Sequence, residues 1–508
     1  MKKMYSLLIV IGLLFATFIY AGVYILYQSE RNIPVSRDLT AADDYIKPNS
    51  IDEFMVSNLK KTGLPGVSVS IIKGNKVIYT AGYGNDSEGN PITADTKMYI
   101  GSVSKSFTSL AVMQLVEQGK IQLQKPVKSY LPNFVTEDER SDKITVTQLL
   151  NQSSGLSDKS FPEMSLSQPN SLMEEMKRLS GAHLTADPGT QWNYHNPNYH
   201  ILAQLVEQVS GQPFNQYIKN HILTPLNMSS TISMTFAGNE SEVERGYTYA
   251  YGMPIARKAL PHFVIGSGGM ISTANDMTKW IAMQNGDLKS VDGTPLVSPE
   301  SLRVMHTPSG PDNEYAYGWE QDVLPDGSKR IEHGGTLFTY SSDAALFPEK
   351  GYAFVVMFNS ATVTGAEQQS FIDGLTSIVQ NKTPELGAPI GLIVDSTLGL
   401  LTLLLMMFFT KGVRSVNKWA MKFCSRGWFI ILARNVPYIF SVIIGIFFLD
   451  ALGFLVGGRD ITWTTVIYGW PALLIFIETL AIGSAIILIS RIFRLVGIKK
   501  RNEILINR

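Results

Sequence analysis

Three apolar runs crowd the end of the chain, over residues 389–409, roughly 436–456 and roughly 465–490. Each can cross a bilayer as a helix, which takes about 20 apolar residues. A polypeptide carrying such runs cannot bury them all in one small water-soluble core. A fourth run, residues 7–27, lies behind Lys2 and Lys3. It is longer than the apolar core of an ordinary signal peptide, which favours an uncleaved anchor over a cleaved signal. Either would carry the adjoining polar region across the membrane.

Charge divides the chain at the same place as hydropathy. The whole sequence balances, with 43 Lys+Arg against 43 Asp+Glu. Residues 386–508 hold 13 Lys+Arg against 5 Asp+Glu, a net of +8 that leaves −8 on the rest. The basic residues cluster. Lys411, Arg414, Lys418, Lys422 and Arg426 follow the first run, and Arg491, Arg494, Lys499, Lys500 and Arg501 follow the third. Between the second and third runs there is only Arg459, beside Asp460. Basic loops stay cytoplasmic, so both termini are expected inside the cell and residues 28–388 outside. Asp395, Arg434, Asp450 and Glu478 lie in or near the runs. Pairing between helices or placement at the interface is the expected role of the first three, and the role of Glu478 stays open.

Composition removes several classes. A balanced chain without a long basic run is not built for nucleic acid. One cysteine, Cys424, allows no intramolecular disulfide and no cysteine-built zinc site. No His-Glu-x-x-His occurs, and no metal or other cofactor is expected. The resulting division is an N-terminal anchor or signal (1–27), a linker (28–49), an exported catalytic domain (50–385) and a three-helix membrane domain (386–508).

Within the exported domain, residues 66–84 alternate apolar and polar positions about Gly74-Asn75, a hairpin pattern. Residues 102–118 and 198–209 have helical spacing, with Gly119 and Gly211 as closing glycines. Residues 330–335 and 351–360 read as two strands separated by a loop. Strands at both ends with helices between predict an α+β fold on one antiparallel sheet.

Three short motifs carry the chemistry. Ser102-Val103-Ser104-Lys105 is a Ser-x-x-Lys, and at helical spacing Lys105 shares a face with the Ser102 hydroxyl. The helix mouth would stabilise a developing oxyanion and favour a neutral Lys105 amine. The pattern recurs at Ser57/Lys60, Ser70/Lys73 and Ser415/Lys418, but only Ser102 combines an exported position with a helix start behind a glycine. Tyr194-His195-Asn196 offers a phenol that can serve as a base near a lysine, and an amide that can hold a carbonyl. Tyr83-Gly84-Asn85 matches the same pattern. His333-Gly334-Gly335, followed by Thr336, lets a ligand approach the backbone closely.

In this order, the motifs and the stretches MYIGSVSKSFTSL, LLNQSSGL, PGTQWNYHNPNYHIL, GSGGMISTANDM and EHGGTLFTYSS resemble the serine β-lactamase and penicillin-binding-protein family. The likeness is to its class-C-like branch, which also holds D-aminopeptidases, D-alanyl carboxypeptidases and esterases. It implies a β-lactamase/transpeptidase-like fold. Ser102 would be the acylated nucleophile, with Lys105 and Tyr194 sharing the base role. Asn196 would bind the substrate amide, and the N–H groups of Ser102 and Thr336 would form the oxyanion hole. His333 stands where β-lactamases usually have a lysine that grips a substrate carboxylate. Gln152 stands where the family usually has a histidine. Gly335 and Gln152 would complete the substrate-binding set.

With its membrane tail, the chain is similar in architecture to peptidases that mature nonribosomal-peptide prodrugs. The expected substrate is a peptide or amide containing D-amino acids, and the expected partner is membrane lipid. A penicillin-binding D,D-peptidase or β-lactam sensor, and an esterase, are the competing readings.

Overall fold

The computed structural model describes residues 20, 22–41, 43, 46–238, 243–455 and 461–506. Most of the N-terminal run, together with Arg459 and Asp460, lies outside the described residues. The chain forms two compact units. One comprises Gln28–Thr248 and Pro254–Pro389, and the other joins the N-terminal segment up to Tyr27 and Tyr249–Met253 to the segment from Ile390 onward.

The first unit is built on a seven-stranded antiparallel sheet. Its strands are β1 (Val35–Thr40), β2 (Gly66–Lys73), β3 (Lys76–Gly84), β4 (Glu320–Val323), β5 (Lys329–Leu337), β6 (Tyr340–Phe347) and β7 (Tyr352–Phe358). Their order across the sheet is β1-β3-β2-β7-β6-β5-β4. The expected hairpin is β2–β3, with Lys73 opposite Lys76. Two expectations are corrected here. The stretch expected as a loop between the last two strands holds β6, and the stretch expected as a linker holds β1, paired to β3.

Both sheet faces are covered, so β6 and β7 are buried throughout and β2 is buried up to Lys73 at its end. Side chains alternate between faces along a strand. Ala353, Val355 and Met357 of β7 join the main core with Trp280, which lies on a helix over Ala274–Gln284. On the other face Phe358 packs on Phe371, with ring centres 5.3 Å apart, and Phe371 meets Phe54 at 6.1 Å. Those two rings come from α1 (Pro48–Thr62) and a helix over Ala366–Val379.

The helices that carry the motifs are α2 (Ser104–Glu117) and α3 (Pro197–Ser210). α2 is buried over most of its length, and Phe107 stacks on Trp280 at 3.5 Å. α3 starts at Pro197, whose fixed φ suits a first helical position, and ends at Gly211 with φ +72°.

In the second unit, α4 (Ile390–Phe423), α5 (Trp428–Ile446) and α6 (Pro471–Ile506) pack together. Each contains a window long and apolar enough to span a membrane. Glycines allow the helices to touch. A Cβ at Gly445 would fall 2.4 Å from Ala481, and one at Gly483 would fall 2.2 Å from the Phe409 ring. The second apolar run is split between α5 and a helix over Phe448–Leu455. The third is split by Pro471, which has no N–H to continue the preceding helix. α4 runs on to Phe423, so Lys411, Arg414, Lys418 and Lys422 lie on its last turns and not in a loop. Asp395 is buried, accepting from the Trp470 indole at 3.0 Å and the Gly252 N–H at 3.4 Å.

Candidate active site

The nucleophile candidate sits on a tight turn that the fold ties down from three sides. Ser102 lies in a 3₁₀ turn over Gly101–Val103, one turn ahead of the helix it was expected to open. Gly101 has φ +50°, a conformation that disfavours any side chain. The Ile100 N–H donates to the Met270 carbonyl at 3.0 Å. The Ser104 hydroxyl donates to the Gly101 carbonyl at 2.6 Å and accepts from the Met270 N–H at 3.0 Å. Strand β5 closes the third side. A Cβ at Gly335 would fall 2.0 Å from the Ile100 carbonyl oxygen, and one at Gly101 would fall 2.6 Å from the Thr336 nitrogen. Both glycines are needed for backbone to lie directly against backbone.

Lys105 is fully buried, and its Nζ donates to three acceptors: Ser102 Oγ at 3.0 Å, Asn196 Oδ1 at 2.9 Å and the Ser267 carbonyl at 2.8 Å. A carbonyl and an amide oxygen can only accept. A neutral Lys105 amine would therefore keep its two N–H bonds on Asn196 and Ser267, and its lone pair would face Ser102. The protein thus aims the amine at the hydroxyl.

The Tyr194 ring centre lies 4.7 Å from Lys105 Nζ. Since Nζ is itself 3.0 Å from Ser102 Oγ, that centre is within a nanometre of the hydroxyl. Ser102, Tyr194 and Asn196 are half-buried, whereas Thr336 is exposed, so the group faces an accessible cleft. The turn at Ser102, the helix start behind Tyr194-His195-Asn196 and the strand bearing His333 are thereby brought together.

Other matches to the motifs have other partners. Ser70 shares a hydrogen bond with Thr278 at 2.6 Å, while Lys73 pairs with Asp43. Ser415 donates to the Gly412 carbonyl within its own helix at 2.8 Å. Tyr83 donates to Asp52 at 2.7 Å.

Asn196 uses both ends of its amide. Its Oδ1 accepts from Lys105, and its Nδ2 donates to Glu163 Oε1 at 2.6 Å. Glu163 is buried. Burial opposes its charge, but His200, His195, His262 and the Asn196 N–H outweigh that and hold its carboxyl below the ordinary value. Gln152 is fully buried at φ +61°. Its Oε1 accepts from the His195 N–H at 3.1 Å and from Asn198 Nδ2 at 2.6 Å, so its contacts are with the loop that presents Tyr194.

His333 is 2% exposed, and burial, helped by Lys105 whenever that amine is protonated, pushes its pKa down to about 3. Its Nδ1 meets the Gly334 carbonyl at 2.6 Å, which can only accept, so Nδ1 carries the proton. Nε2 then accepts from the Tyr315 hydroxyl at 3.2 Å. At neutral pH this side chain is an uncharged imidazole. Tyr315 also packs edge-on to Tyr194 at 6.1 Å and lies 6.0 Å from Trp192, which lines up an aromatic wall.

Glu163, Ser267, Tyr315 and Trp192 were not anticipated from the sequence. Ser267 lies inside GSGGMISTANDM, and Trp192 stands two residues before Tyr194. Glu163 and Tyr315 stand in segments with no motif.

The Beta-lactamase family model matches residues 51–372. "Protein flp" of Staphylococcus aureus (strain N315) is 30% identical over 318 residues, covering 61% of this chain. The chain spans 62% of the length of that relative. Among solved structures, an octameric penicillin-binding protein homologue from Pyrococcus abyssi aligns with a TM-score of 0.58 at 26% identity. That alignment covers 70% of this chain and 82% of the homologue. A D-stereospecific amidohydrolase from Streptomyces sp. shares the fold, with a TM-score of 0.51 at 23% identity over 62% of this chain and 94% of the other.

Proposed function

The chain belongs to the beta-lactamase family, and we propose that it is a membrane-bound serine hydrolase acting through an acyl-enzyme on amides of D-amino-acid-containing peptides. The observation that carries this is the Lys105 amine, held by Asn196 and Ser267 against the Ser102 hydroxyl. Neutral Lys105 takes the Ser102 proton as Oγ attacks the substrate carbonyl. The oxyanion is received by the N–H groups of Ser102 and Thr336. Tyr194 delivers a proton to the leaving amine, the C–N bond breaks, and the acyl group remains on Ser102. Water gives a proton to the Tyr194 phenolate as it attacks the ester, and the acid leaves as Lys105 returns its proton to Ser102 Oγ.

The neutral His333 supports an amide substrate over an anionic β-lactam. It offers no cation to a carboxylate at neutral pH, where a lysine would. The three C-terminal helices support action at the membrane, on an envelope peptide or an exported prodrug, with the catalytic unit outside and both termini inside.

Labelling by a fluorophosphonate tests the nucleophile. The wild-type chain should label and Ser102→Ala should not; full labelling of that variant would sink the assignment. Steady-state turnover then sorts the substrate class. Turnover of D-amino-acid amides, with their L counterparts left intact, supports the peptidase. Turnover of esters without any of amides makes the protein an esterase, and one-to-one labelling by penicillin without turnover makes it a sensor.

A further inference from the structure

The membrane unit contains a cavity of about 630 Å³ that the hydrolase chemistry does not use, and its lining changes character from one end to the other. Leu405, Phe409 and Leu480 line it on the side toward the apolar middle of their helices. Lys418 and Lys422 of α4, Arg434 of α5 and Arg491 of α6 also line it. Among the described residues, no carboxylate lines it.

Arg491 is the fixed member of this set. It is only 9% exposed, its guanidinium sits 4.3 Å above the Trp419 ring and 4.7 Å from the Tyr438 ring, and Nη1 donates to Asn435 at 2.9 Å. Its Nε–H is buried and, among the described residues, has no hydrogen-bond partner. Arg434, by contrast, is exposed, and its backbone carbonyl accepts from Arg491. A buried cation without a carboxylate is costly unless an anion comes to it.

We propose that this cavity binds the headgroup of an acidic phospholipid, with an acyl chain lying toward the apolar end. Charge complementarity selects the phosphate: four cations converge on one mouth whose described lining holds no acid to neutralise them. The apolar depth favours a lipid over a free anion. Basic pockets between membrane helices on the cytoplasmic side are the setting in which anionic headgroups are held. The site belongs to the membrane unit alone and is independent of the hydrolase assignment.

The test uses the full chain in neutral detergent, stripped of lipid and titrated with phosphatidylglycerol or phosphatidylcholine by native mass spectrometry. One phosphatidylglycerol per chain should bind at least roughly tenfold tighter than phosphatidylcholine. Lys418→Gln/Lys422→Gln should weaken it by roughly tenfold or more. Lys411→Gln/Arg426→Gln, outside the cavity, should change it by less than about threefold. A single symmetric size-exclusion peak and wild-type helical circular dichroism in detergent serve as the folding control. If the first pair misfolds, the exposed single variant Arg434→Gln should still lower affinity severalfold. Equal binding of the two lipids, equal loss in both pairs, or no loss in Arg434→Gln overturns the proposal. So does binding of inorganic phosphate without lipid, which would make the site one for a free anion.

Discussion

At the scale of single residues, the site is a chain of hydrogen bonds that ends on one hydroxyl. Glu163 holds Asn196, Asn196 and Ser267 hold Lys105, and Lys105 faces Ser102. Replacing Glu163 by Gln puts an N–H donor option against the Asn196 N–H and removes the charge that fixes the amide. A hydrogen bond to a charged group contributes about 1.5–3 kcal/mol. Glu163→Gln should therefore slow acylation of Ser102 by roughly tenfold to a hundredfold, measured by stopped-flow fluorophosphonate labelling. An unchanged rate would show that Asn196 holds its orientation without Glu163. That Ser102, Lys105, Tyr194 and Asn196 lie together could be anticipated from the sequence because each stands in a short pattern whose spacing is chemical. Glu163 and Tyr315 could not, because only the fold brings their segments to the site.

At the scale of elements, the close contact between β5 and the Ser102 turn is the most exposed to a single change. Gly335→Ala would place a methyl 2.0 Å from the Ile100 carbonyl, with backbone on both sides unable to yield. Overpacking of this kind typically costs about 1–3 kcal/mol. The expected outcome is a lower urea midpoint together with slower acylation, because the strand and the turn must separate to admit the methyl. A variant with wild-type stability and rate would mean that strand and turn can part at little cost.

The same elements show what the sequence conceals. The hairpin β2–β3 was legible because residues 66–84 alternate about a Gly-Asn turn. Strand β6 was not, since Ser341, Ser342 and Asp343 read as loop residues although all three are buried between neighbouring strands. Strand β1 was hidden because an edge strand of six residues needs little apolar content to pair. The helix expected from residue 102 begins at Ser104, since Ser102 and Val103 wind more tightly, in a turn with Gly101, against β5.

At the scale of the whole molecule, pH and membrane sidedness give two tests. His333 binds its proton at an ordinary pH near 6.5 when unfolded, but only near 3 when folded. The unfolded chain therefore holds more protons in that window, and the contribution of neutral His333 is lost as pH falls from about 6.5 to about 3. Glu332 acts in the opposite sense. Burial, together with the Asp343 carboxyl, outweighs the Arg330 guanidinium and raises its pKa, so its contribution is complete below the ordinary carboxyl range and is lost as pH rises above it. The informative quantity is thus the difference between the wild type and His333→Gln. Wild-type stability relative to that variant should decline by up to roughly 1.4 kcal/mol per pH unit on acidification through this window. A constant difference in urea unfolding across that range would contradict the buried, neutral imidazole.

Sidedness can be read with the single native cysteine. Cys424 lies just beyond the basic last turns of α4 and is partly exposed. In intact cells a membrane-impermeant maleimide should leave Cys424 unlabelled and should label Val291→Cys, which replaces a side chain 75% exposed on the first unit. Labelling of Cys424 without lysis would reverse the proposed topology.

The absence of room for even one methyl between Gly335 and Ile100 also constrains how such an enzyme could diversify. The jaw that grips the reacting carbonyl has a set width, so new substrates cannot be gained by widening it. Any shift in preference has to be written into the surroundings, where Trp192 stands exposed with its ring centre 6.2 Å from Tyr194 and 6.0 Å from Tyr315.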